Sequence, residues 1–516
     1  MNNKIFLFSA LALSAAANLM ASENNAEKQS KKPNVLFIYA DDIGYGDLSC
    51  NGGKTIKTPN VEKLASQGIR FTNAHCGAAT STPSRYAMLT GEYAWRKNGT
   101  GIAAGDAAMI ITPERYTIAD MFKDAGYNTG VIGKWHLGLG DQTGKQDWNG
   151  IVKPNPGDIG FDYSYIMAAT ADRVPCIWIE NGKAIGLSAD DPVMVSYTKN
   201  FEGEPTGKEN PELLRMHPSH GHNMSIVNGI SRIGYMKGGK SALWRDQDIQ
   251  DSIISHAVRF LETEAKKDEP FFLYLATNDI HVPRDPHERF VGKSGMGPRG
   301  DALLEFDWGV GKVMETLKRL GLDENTIVVL SSDNGPVVDD GYQDKAVELL
   351  GNHKPAGIYR GGKYSNFEGG TRVPCIFRWK GNVTPGVSNS LMSQLDWFSS
   401  FASLLNVKVP AGAAPDSENH ITAWMNTKSK GRTWVVGQNI QNNLTITDGI
   451  WKYIPAGKGP AINKETNTEL ANSQEPLLYR LTDDAGEHQS VYQANKKVAE
   501  KMDKKLQEII DNRYGL

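Results

Sequence analysis

The 516-residue sequence predicts an α/β protein that has a large, mostly parallel sheet sandwiched by helices, followed by a smaller C-terminal α+β domain. Strand and helix patterns alternate from Pro33 onward, which is typical of a parallel sheet covered by helices. The first strand pattern, NVLFIYA (34–40), is a continuous apolar run, as expected for a strand buried on both faces. Beyond Leu405, short strand patterns replace the alternation, which indicates the second domain.

Each element of the larger domain has its own local signal. In TPNVEKLASQG (58–68), Thr58 is a candidate cap, Pro59 stands at the first helical position, and a glycine closes the helix. The remaining pairs of elements are the helix at 117–126 with the strand YNTGVIG (127–133), the helix at 248–265 with the strand PFFLYLA (270–276), and the helix at 301–321 with the strand TIVVLSS (326–332). Between about 140 and 247 periodicity is weak, which indicates long surface loops that can carry substrate-facing residues.

The C-terminal region reads as antiparallel strands followed by a helix. Strand patterns occur in RTWVVGQN, NLTITDGIWKYIP and LLYRLTDDAGEH, with a hairpin turn at Asp448-Gly449. NKKVAEKMDKKLQEIIDN (495–512) predicts the closing helix. We therefore place the larger domain at 33–405 and the smaller domain at 406–516.

The N-terminal 21 residues predict a secretory signal peptide. Lys4 supplies the positive charge, an apolar run extends from Ile5 to Ala17, and Ala21 offers a small residue for cleavage. Because that run is shorter than the roughly 20 residues that span a bilayer, we expect no stable membrane insertion. The mature protein is expected to be periplasmic or secreted, with a flexible lead-in at 22–32.

Composition excludes some classes of function. A formal net charge of -3 without a long basic run argues against a nucleic-acid partner. The four cysteines form no CxxC or Cys/His cluster with zinc spacing. One or two disulfides stay open, since exported proteins meet an oxidising compartment.

Polar side chains follow four of the predicted strands, at the edge where parallel strands of open α/β sheets present their carboxyl ends to ligands. Asp41-Asp42 and Asp333-Asn334 each follow a strand directly; Lys134 and His136 follow a third, and His281 a fourth. Three carboxylates and an amide oxygen suit a hard cation, Ca²⁺ or Mg²⁺, better than zinc. Each group alone also fits an ordinary loop or turn.

Ser81 precedes a predicted helix that begins at Pro83. The N–H groups and positive dipole end of such a helix attract an anion, and Arg85 adds a planar set of donors. Lys363, in a glycine-rich segment, would add a second cation. The inferred ligand is a tetrahedral anion beside a metal. The alternative is that Ser81 is simply the helix N-cap.

The segment STPSRYAMLTG (81–91) resembles the signature of the type I sulfatases, matching it at Ser81, Pro83, Ser84, Arg85 and the final Thr-Gly. ADDIGYGDLSC before this signature, and GKWHLG, the His281 segment, SSDNG and RGGKYSNFEGGTRVP after it, occur in that family's order. LLYRLTDDAGEH resembles the family's C-terminal segment, and the likeness covers nearly the whole mature chain. The resemblance implies an alkaline-phosphatase-like fold. It also implies that Ser81 is oxidised to formylglycine, whose hydrated aldehyde attacks the sulfur and then releases the sulfate.

The resemblance also assigns roles to the residues at the strand ends. One Ca²⁺ (Mg²⁺ being the weaker candidate) would be held by Asp41, Asp42, Asp333, Asn334 and the modified Ser81. Arg85 and Lys134 would hold the reacting hydroxyls, and His136 would accept a proton. His281 and Lys363 would bind the sulfate, His281 being the general acid, while Glu368 and Arg372 are interpreted as structural.

Serine replaces the cysteine that most members of the family carry at position 81. This implies maturation by the anaerobic, radical type of formylglycine-generating enzyme, or else a sequence altered at this position. The segments GFDYSYIMAATADRVPCIWIENGK (160–183) and GNHKPAGIYRGGK (351–363) resemble carbohydrate sulfatases of bacteria that degrade host glycans. This resemblance implies a terminal sulfated galactose or N-acetylgalactosamine as substrate. Candidate sugar contacts are Asp172, Arg173, His220, His222 and His353, with Trp178 and Trp244 as stacking surfaces.

Two other functions compete with this interpretation. A phosphomonoester or phosphodiester hydrolase of the same superfamily would use two metal ions, whereas the sequence offers ligands for one. A non-catalytic binder of sulfated glycans would keep Ser81 unmodified. Each candidate sugar contact can also be a buried loop or core side chain.

Overall fold

A computed structural model of the chain describes residues 32–512. The predicted signal peptide and residues 22–31 of the predicted lead-in lie outside the described residues. The helices are α1 (Pro59–Ser66), α2 (Ser81–Thr90), α3 (Ile118–Asp124), α4 (Ile249–Glu264), α5 (Gly297–Arg319), α6 (Glu368–Thr371), α7 (Asp396–Leu404), α8 (Ile421–Met425) and α9 (Lys496–Asp511).

The strands of the described residues form one large sheet, one smaller sheet and several two-stranded pairs. In chain order they are β1 (Asn34–Ala40), β2 (Ile69–Phe71), β3 (Ala74–His75), β4 (Asn128–Lys134), β5 (Tyr163–Met167), β6 (Trp178–Glu180), β7 (Lys183–Ala184), β8 (Met194–Ser196), β9 (Ile226–Val227), β10 (Ile230–Ser231), β11 (Tyr235–Lys237), β12 (Phe271–Ala276), β13 (Thr326–Ser332), β14 (Cys375–Trp379), β15 (Gly386–Ser388), β16 (Met392–Ser393), β17 (Val435–Gln438), β18 (Leu444–Thr447), β19 (Trp451–Ile454), β20 (Ile462–Asn463), β21 (Thr468–Glu469) and β22 (Leu477–Arg480).

The large sheet has ten strands in the order β15-β2-β14-β13-β1-β12-β4-β5-β6-β7. The five central strands, from β13 to β5, run parallel, which confirms the predicted α/β class. Beyond them β14 and β6 join in antiparallel orientation, so the sheet is mixed at its flanks. The flanking strands have only two to five residues, too few to give a clear pattern in the sequence.

The core lies on both faces of β1, all of whose seven residues are buried. On one face α1, α4 and α5 pack together, and α3, α7 and α8 cover the other. Phe37 of β1 lies 4.9 Å, between ring centroids, from Trp397 of α7. The helix α5 begins at Gly297, four residues before the predicted start, because Pro298 suits the first turn of a helix.

The sequence left open whether the cysteines pair, and the structure answers this question for all four of them. Each of the four cysteines is unpaired, and Cys76, Cys176 and Cys375 are buried, so the described chain contains no disulfide. Among residues 32–512, no helix is both long enough and apolar enough to cross a membrane.

The C-terminal region forms the predicted antiparallel sheet, in the order β17-β18-β19-β22, with the hairpin turn at Asp448-Gly449 between β18 and β19. The helix α9 packs on this sheet through a small core that includes Ile446, Met502 and Leu506. A buried ion-pair cluster joins β19 to α6: Lys452 lies 2.9 Å from Glu368 and 3.5 Å from Glu487. Glu368 also accepts from Arg372 at 2.8 Å, which supports a structural role for this pair.

We expect Lys452→Met to destabilise the protein by about 3–5 kcal/mol, because it leaves two buried carboxylates without their shared cation. Lys312→Met is the matched control, since its partner Glu315 is exposed and such pairs contribute about 1 kcal/mol or less. Urea unfolding measures the free energy of unfolding of both variants. A free energy of unfolding for Lys452→Met within 1 kcal/mol of the unsubstituted protein would contradict the assignment.

Candidate functional site

The carboxyl ends of the central strands converge on the first turn of α2. Asp41 and Asp42 follow β1, Asp333 follows β13, and Lys134 is the last residue of β4. All four side chains are fully buried. The predicted gathering of these groups at one edge of the sheet is therefore present in the structure.

The helix α2 begins at Ser81, so the predicted start at Pro83 is wrong by two residues. Thr80 occupies the N-cap position, and the interpretation of Ser81 as the cap is also wrong. Pro83 is tolerated inside the first turn because the N–H groups there have no intrahelical acceptor.

The Ser81 hydroxyl lies among charged partners instead of capping the helix. Its Oγ donates to Asp333, and it accepts from Lys134 Nζ at 2.7 Å and from Arg85 Nε at 3.3 Å. The side chain is 3% exposed. An oxygen at this position therefore faces two fixed cations, which would stabilise it in a negatively charged form.

Three cations hold the three carboxylates of the site. Lys134 Nζ is 2.6 Å from Asp41, Arg85 Nη2 is 2.8 Å from Asp333, and Lys363 Nζ is 2.9 Å from Asp42. Burial, together with the neighbouring Asp333, raises the pKa of Asp41 well above its usual value, although Lys134 opposes the shift. Burial also opposes ionisation of Asp42, but Lys363 and Lys134 lower its pKa.

Two oxygens in this cluster lack hydrogen-bond partners among the described residues. Asp41 Oδ1 and Asn334 Oδ1 are both buried, and neither accepts a hydrogen bond. Ligand atoms of Asp41, Asp42 and His281 lie within 4.8 Å of one another. Because an unpaired buried acceptor is costly, and carboxylate and amide oxygens are the ligands of hard cations, these residues fit a Ca²⁺- or Mg²⁺-type ion.

Backbone carbonyls determine which ring nitrogen of His136 and of His281 carries the hydrogen. His136 Nε2 lies 3.0 Å from the Ala103 carbonyl, which can only accept, so Nε2 carries the hydrogen and Nδ1 is bare. His281 Nδ1 lies 2.7 Å from the Val282 carbonyl, which leaves its Nε2 bare, 3.9 Å from Asp42 Oδ2. Burial and the nearby lysines lower the pKa of both rings well below the usual value.

A cavity of about 50 Å³ opens above this cluster. Ser81 and the two histidines lie in its wall together with three of the five candidate sugar contacts, Asp172, Arg173 and His222. Asp172 Oδ2 is 2.8 Å from His222 Nε2 and 2.9 Å from Arg173 Nη1, and the Asp172 side chain is buried. These three residues come from the long loop region that the sequence predicted to face a substrate.

The remaining candidates lie elsewhere. His220 lies outside this cavity wall, and its carbonyl accepts from His222 Nδ1 at 3.0 Å, so it supports His222. His353 is buried, and its Nε2 is 2.8 Å from Asp47, the carboxylate that also holds Arg299. The structure therefore places His353 in a structural ion-pair cluster away from the cavity wall.

Trp178 and Trp244 present no stacking surface, contrary to the prediction. Both are buried in the main core, with ring centroids 5.6 Å apart. Trp178 also stacks on Tyr165 at 4.7 Å. Since apolar packing covers their faces, neither ring is available to a sugar.

Three residues of the cavity wall, Ile102, Asp340 and Tyr364, escaped the sequence analysis. Asp340 Oδ2 accepts from Lys363 Nζ at 2.7 Å, and its Oδ1 accepts from Tyr364 Oη at 2.7 Å. Asp340 lies in a loop among several other acidic residues, and only the fold distinguishes it. Tyr364 follows Lys363 directly, and this position next to a predicted site residue was the only signal for it in the sequence.

Comparison with known proteins identifies relatives over the whole chain. The Sulfatase family model matches residues 33–407. The chain is 49% identical over 503 residues to the N-acetylgalactosamine-6-O-sulfatase of Bacteroides thetaiotaomicron, covering 98% of each. It is 28% identical over 478 residues to human arylsulfatase A, covering 89% of this chain and 83% of the relative.

A solved structure from work on the metabolism of multiple glycosaminoglycans by Bacteroides thetaiotaomicron superposes with a TM-score of 0.91. It shares 50% identity, with 93% of this chain and 99% of that chain covered.

Ca²⁺ added to chelator-treated protein is expected to raise the free energy of unfolding by about 2.7 kcal/mol at a hundredfold excess over its dissociation constant. Asp333→Asn removes one negative charge from the cluster and should abolish most of this shift at the same concentration. Glu315→Gln, at an exposed carboxylate, is the control that should retain it. Urea unfolding of each protein, with Ca²⁺ and with chelator, measures this shift. Identical unfolding curves of the unsubstituted protein under the two conditions would contradict a cation site.

Proposed function

Because this chain belongs to the sulfatase family and, as a sulfuric ester hydrolase, removes sulfate from a sulfated glycan, we propose that its substrate carries a terminal 6-O-sulfated N-acetylgalactosamine or galactose. The observation that carries this proposal is the 49% identity, over 98% of both chains, with an N-acetylgalactosamine-6-O-sulfatase. A cavity of about 50 Å³ with Ser81 in its wall fits a terminal sulfated group better than the interior of a chain.

The active form carries formylglycine at position 81 and one Ca²⁺ beside it. Hydrated formylglycine supplies the oxygen nucleophile and a means of releasing sulfate, and bound Ca²⁺ polarises the ester. Asp41, Asp42, Asp333 and Asn334 would hold the ion, as the two partnerless oxygens support. A formylglycine-generating enzyme of the radical type is the required partner, and the signal peptide directs the protein to the periplasm or outside the cell.

The residues around position 81 orient and stabilise the reacting oxygen. Lys134 and Arg85 donate to that oxygen from two sides, which favours its negatively charged form. The bare Nδ1 of His136 can accept a proton, and the Ala103 carbonyl keeps the opposite nitrogen protonated throughout. His136 therefore acts as a base and cannot turn its other nitrogen to the site.

His281 acts as general acid only after it gains a proton, since its Nε2 is bare in the neutral ring. The negative charge of the sulfate ester and the nearby Asp42 favour this protonation, which burial and the lysines oppose. The protonated Nε2 then donates to the leaving sugar oxygen. Lys363 has one ammonium hydrogen left for a sulfate oxygen after donating to Asp42 and Asp340.

Asp172, Arg173 and His222 form the sugar-recognition group of this proposal. Both nitrogens of His222 lie within hydrogen-bond distance of acceptor oxygens, the His220 carbonyl at 3.0 Å and Asp172 Oδ2 at 2.8 Å, and these contacts keep Asp172 in place. The carboxylate of Asp172 can accept a further hydrogen bond from a sugar hydroxyl, and Arg173 can donate to one. A hydroxyl in the wrong configuration would miss these two contacts, which disfavours its binding.

The two competing functions are less well supported. Within residues 32–512, one acidic group has the spacing for a metal ion, and Lys134 and Lys363 flank it where a second metal of a phosphatase would need carboxylates. A binder without turnover would not need the bare His136 Nδ1 beside position 81.

Protein purified from its native host is expected to yield a Ser81 peptide lighter by two hydrogens than the encoded sequence, which mass spectrometry measures. The same preparation should release sulfate from N-acetylgalactosamine 6-sulfate or galactose 6-sulfate at least about tenfold faster than from the 4-sulfates, since the wrong isomer leaves buried polar groups unpaired. Ser81→Ala, produced in the same host, has no hydroxyl to oxidise and should be inactive. An unmodified peptide in an active preparation would refute the maturation, and preference for the 4-sulfates would refute the substrate.

Asp340→Asn is expected to lower kcat about 10- to 100-fold, because Lys363 loses the carboxylate that orients its third hydrogen. If Asp340 acts through Lys363, the same substitution should have little further effect in a Lys363→Met background, as a double-mutant cycle shows. Tyr364→Phe should have a smaller effect, and Glu348→Gln, at an exposed acid of the same segment, none. Additive losses would show instead that Asp340 acts independently of Lys363.

A further inference from the structure

We propose that Thr82 is a positioning residue for the base His136, because its hydroxyl holds the imidazole in place beside residue 81. This inference rests on the proposed function, since that function makes His136 the base. Thr82 stands between Ser81 and Pro83, at a position for which the family resemblance implies no role. Its side chain is fully buried and is not part of the wall of the catalytic cavity. Thr82 therefore acts through other residues and does not touch the substrate.

The Thr82 hydroxyl joins two segments that have no regular secondary structure. Its Oγ1 donates to the His136 carbonyl at 3.0 Å and accepts from the Ala103 N–H at 3.1 Å. Both partner residues are buried, so water does not replace these bonds. Because a hydroxyl donates one hydrogen and accepts through its lone pairs, this single side chain satisfies both backbone groups.

A third hydrogen bond closes a cycle around the imidazole. The Nε2–H of His136 donates to the Ala103 carbonyl at 3.0 Å, so Thr82, Ala103 and His136 are each bonded to the other two. Thr82 fixes Ala103 through its N–H, and Ala103 in turn fixes the ring through its carbonyl. The bare Nδ1, which has no hydrogen-bond partner among the described residues, is thereby kept on the side of the ring away from Ala103.

The backbone of His136 has a conformation that depends on such contacts. Its φ is +57°, in the left-handed region that residues other than glycine rarely adopt. Conformations of this kind persist where the surrounding structure over-determines them. The His136 N–H donates to the Ala168 carbonyl at 3.2 Å, and the His136 carbonyl accepts from Thr82. Two different segments therefore hold the two backbone groups of His136, and Thr82 provides one of these contacts.

The helix α2 determines where the Thr82 hydroxyl lies. Ser81 and Thr82 are the first two residues of this helix, and the β-branched side chain of threonine has a restricted χ1 angle. The base and the reacting oxygen at residue 81 are consequently attached to adjacent residues of one rigid element. This attachment matters because a displacement of about 1 Å can reduce a reaction rate about 100-fold.

Kinetics of Thr82→Val, which removes the hydroxyl and keeps the shape of the side chain, test the proposal. With N-acetylgalactosamine 6-sulfate, kcat per formylglycine-containing chain is expected to fall about 10- to 100-fold, because the base loses its alignment. KM should stay within about twofold, since the altered contact is made outside the cavity wall. Thr82→Ser keeps the hydroxyl and should recover most of kcat. If Thr82→Val does not fold, Thr82→Ala replaces it with the same expectations.

A double-mutant cycle distinguishes positioning of the base from a general effect on the fold. In a His136→Ala background, Thr82→Val should cause no further loss of kcat, because the base that it positions is already absent. A residue that only stabilised the folded protein would lower the free energy of unfolding and leave kcat of the folded enzyme unchanged. Mass spectrometry of the residue 81 peptide corrects every kcat for the fraction of chains that carry formylglycine.

Thr129→Val is the matched control. The Thr129 hydroxyl is also buried and also joins two backbone groups, donating to the Gly160 carbonyl at 2.6 Å and accepting from the Asp162 N–H at 2.9 Å. Thr129 lies near the start of β4, whereas Lys134 of the site ends this strand. Thr129→Val should therefore lower the free energy of unfolding as Thr82→Val does, with kcat within about twofold of the unsubstituted enzyme.

Hydrogen exchange of the Ala103 N–H gives a readout that needs neither formylglycine nor substrate. In protein with unmodified Ser81, this N–H should exchange about tenfold faster in Thr82→Val, because its acceptor is lost. The exchange rate should be unchanged in Thr82→Ser and in Thr129→Val.

Three results would overturn the inference. They are an unchanged kcat in Thr82→Val, losses that add in the double variant with His136→Ala, and an equal loss of kcat in Thr129→Val. If the unsubstituted enzyme does not hydrolyse the probe, or if His136→Ala is fully active, the proposed function fails instead. The exchange rate of the Ala103 N–H then tests Thr82 by itself, and an unchanged rate in Thr82→Val rejects it.

Discussion

Charge balance in a fully buried cluster is the constraint on which the site depends. Asp41, Asp42 and Asp333 would be strongly unfavourable without cations, and Lys134, Lys363 and Arg85 approach them at 2.6 to 2.9 Å. Asp340, which shares Lys363, adds a fourth buried carboxylate, so four carboxylates face three cations and a bound metal cation would offset the surplus negative charge. The parallel strands bring these groups together because their carboxyl ends share one edge of the sheet. Any substitution there changes both the stability of the fold and the chemistry.

Much of this arrangement can be predicted from the sequence because its signals are local. A buried apolar strand followed directly by Asp41-Asp42 specifies where those carboxylates lie, and the same holds for Asp333-Asn334. The segment from Ser81 to Gly91 carries the family signature in eleven consecutive residues. The α/β class could be predicted for the same reason, since strand β1 is a continuous apolar run and the helices around it have clear periodic patterns. The parallel centre was therefore predictable, and the short antiparallel flanks were not.

The residues of the cavity wall that come from irregular segments could not be predicted, because long-range packing determines where their side chains lie. Asp340 and His353 both lie in the segment between Asn334 and Lys363, and sequence offers no means of telling which faces the cavity. The fold pairs Asp340 with Lys363 and buries His353 against Asp47. Trp178 resembles a sugar-stacking residue in sequence but lies in β6, where Tyr165 of the adjacent strand covers it. A loop composition therefore indicates where a substrate binds without identifying the contacts.

The cations in the wall of the catalytic cavity orient a substrate. The catalytic cavity carries Lys363 and Arg173 in its wall, and these cations attract a sulfate group. A glycan with one charged end would be driven into a single orientation, sulfate inward, before any specific contact forms. Ala103 contacts both His136 and Thr82, so the segment that brings Ile102 to the cavity wall also holds the catalytic base in place beside the helix that begins at Ser81.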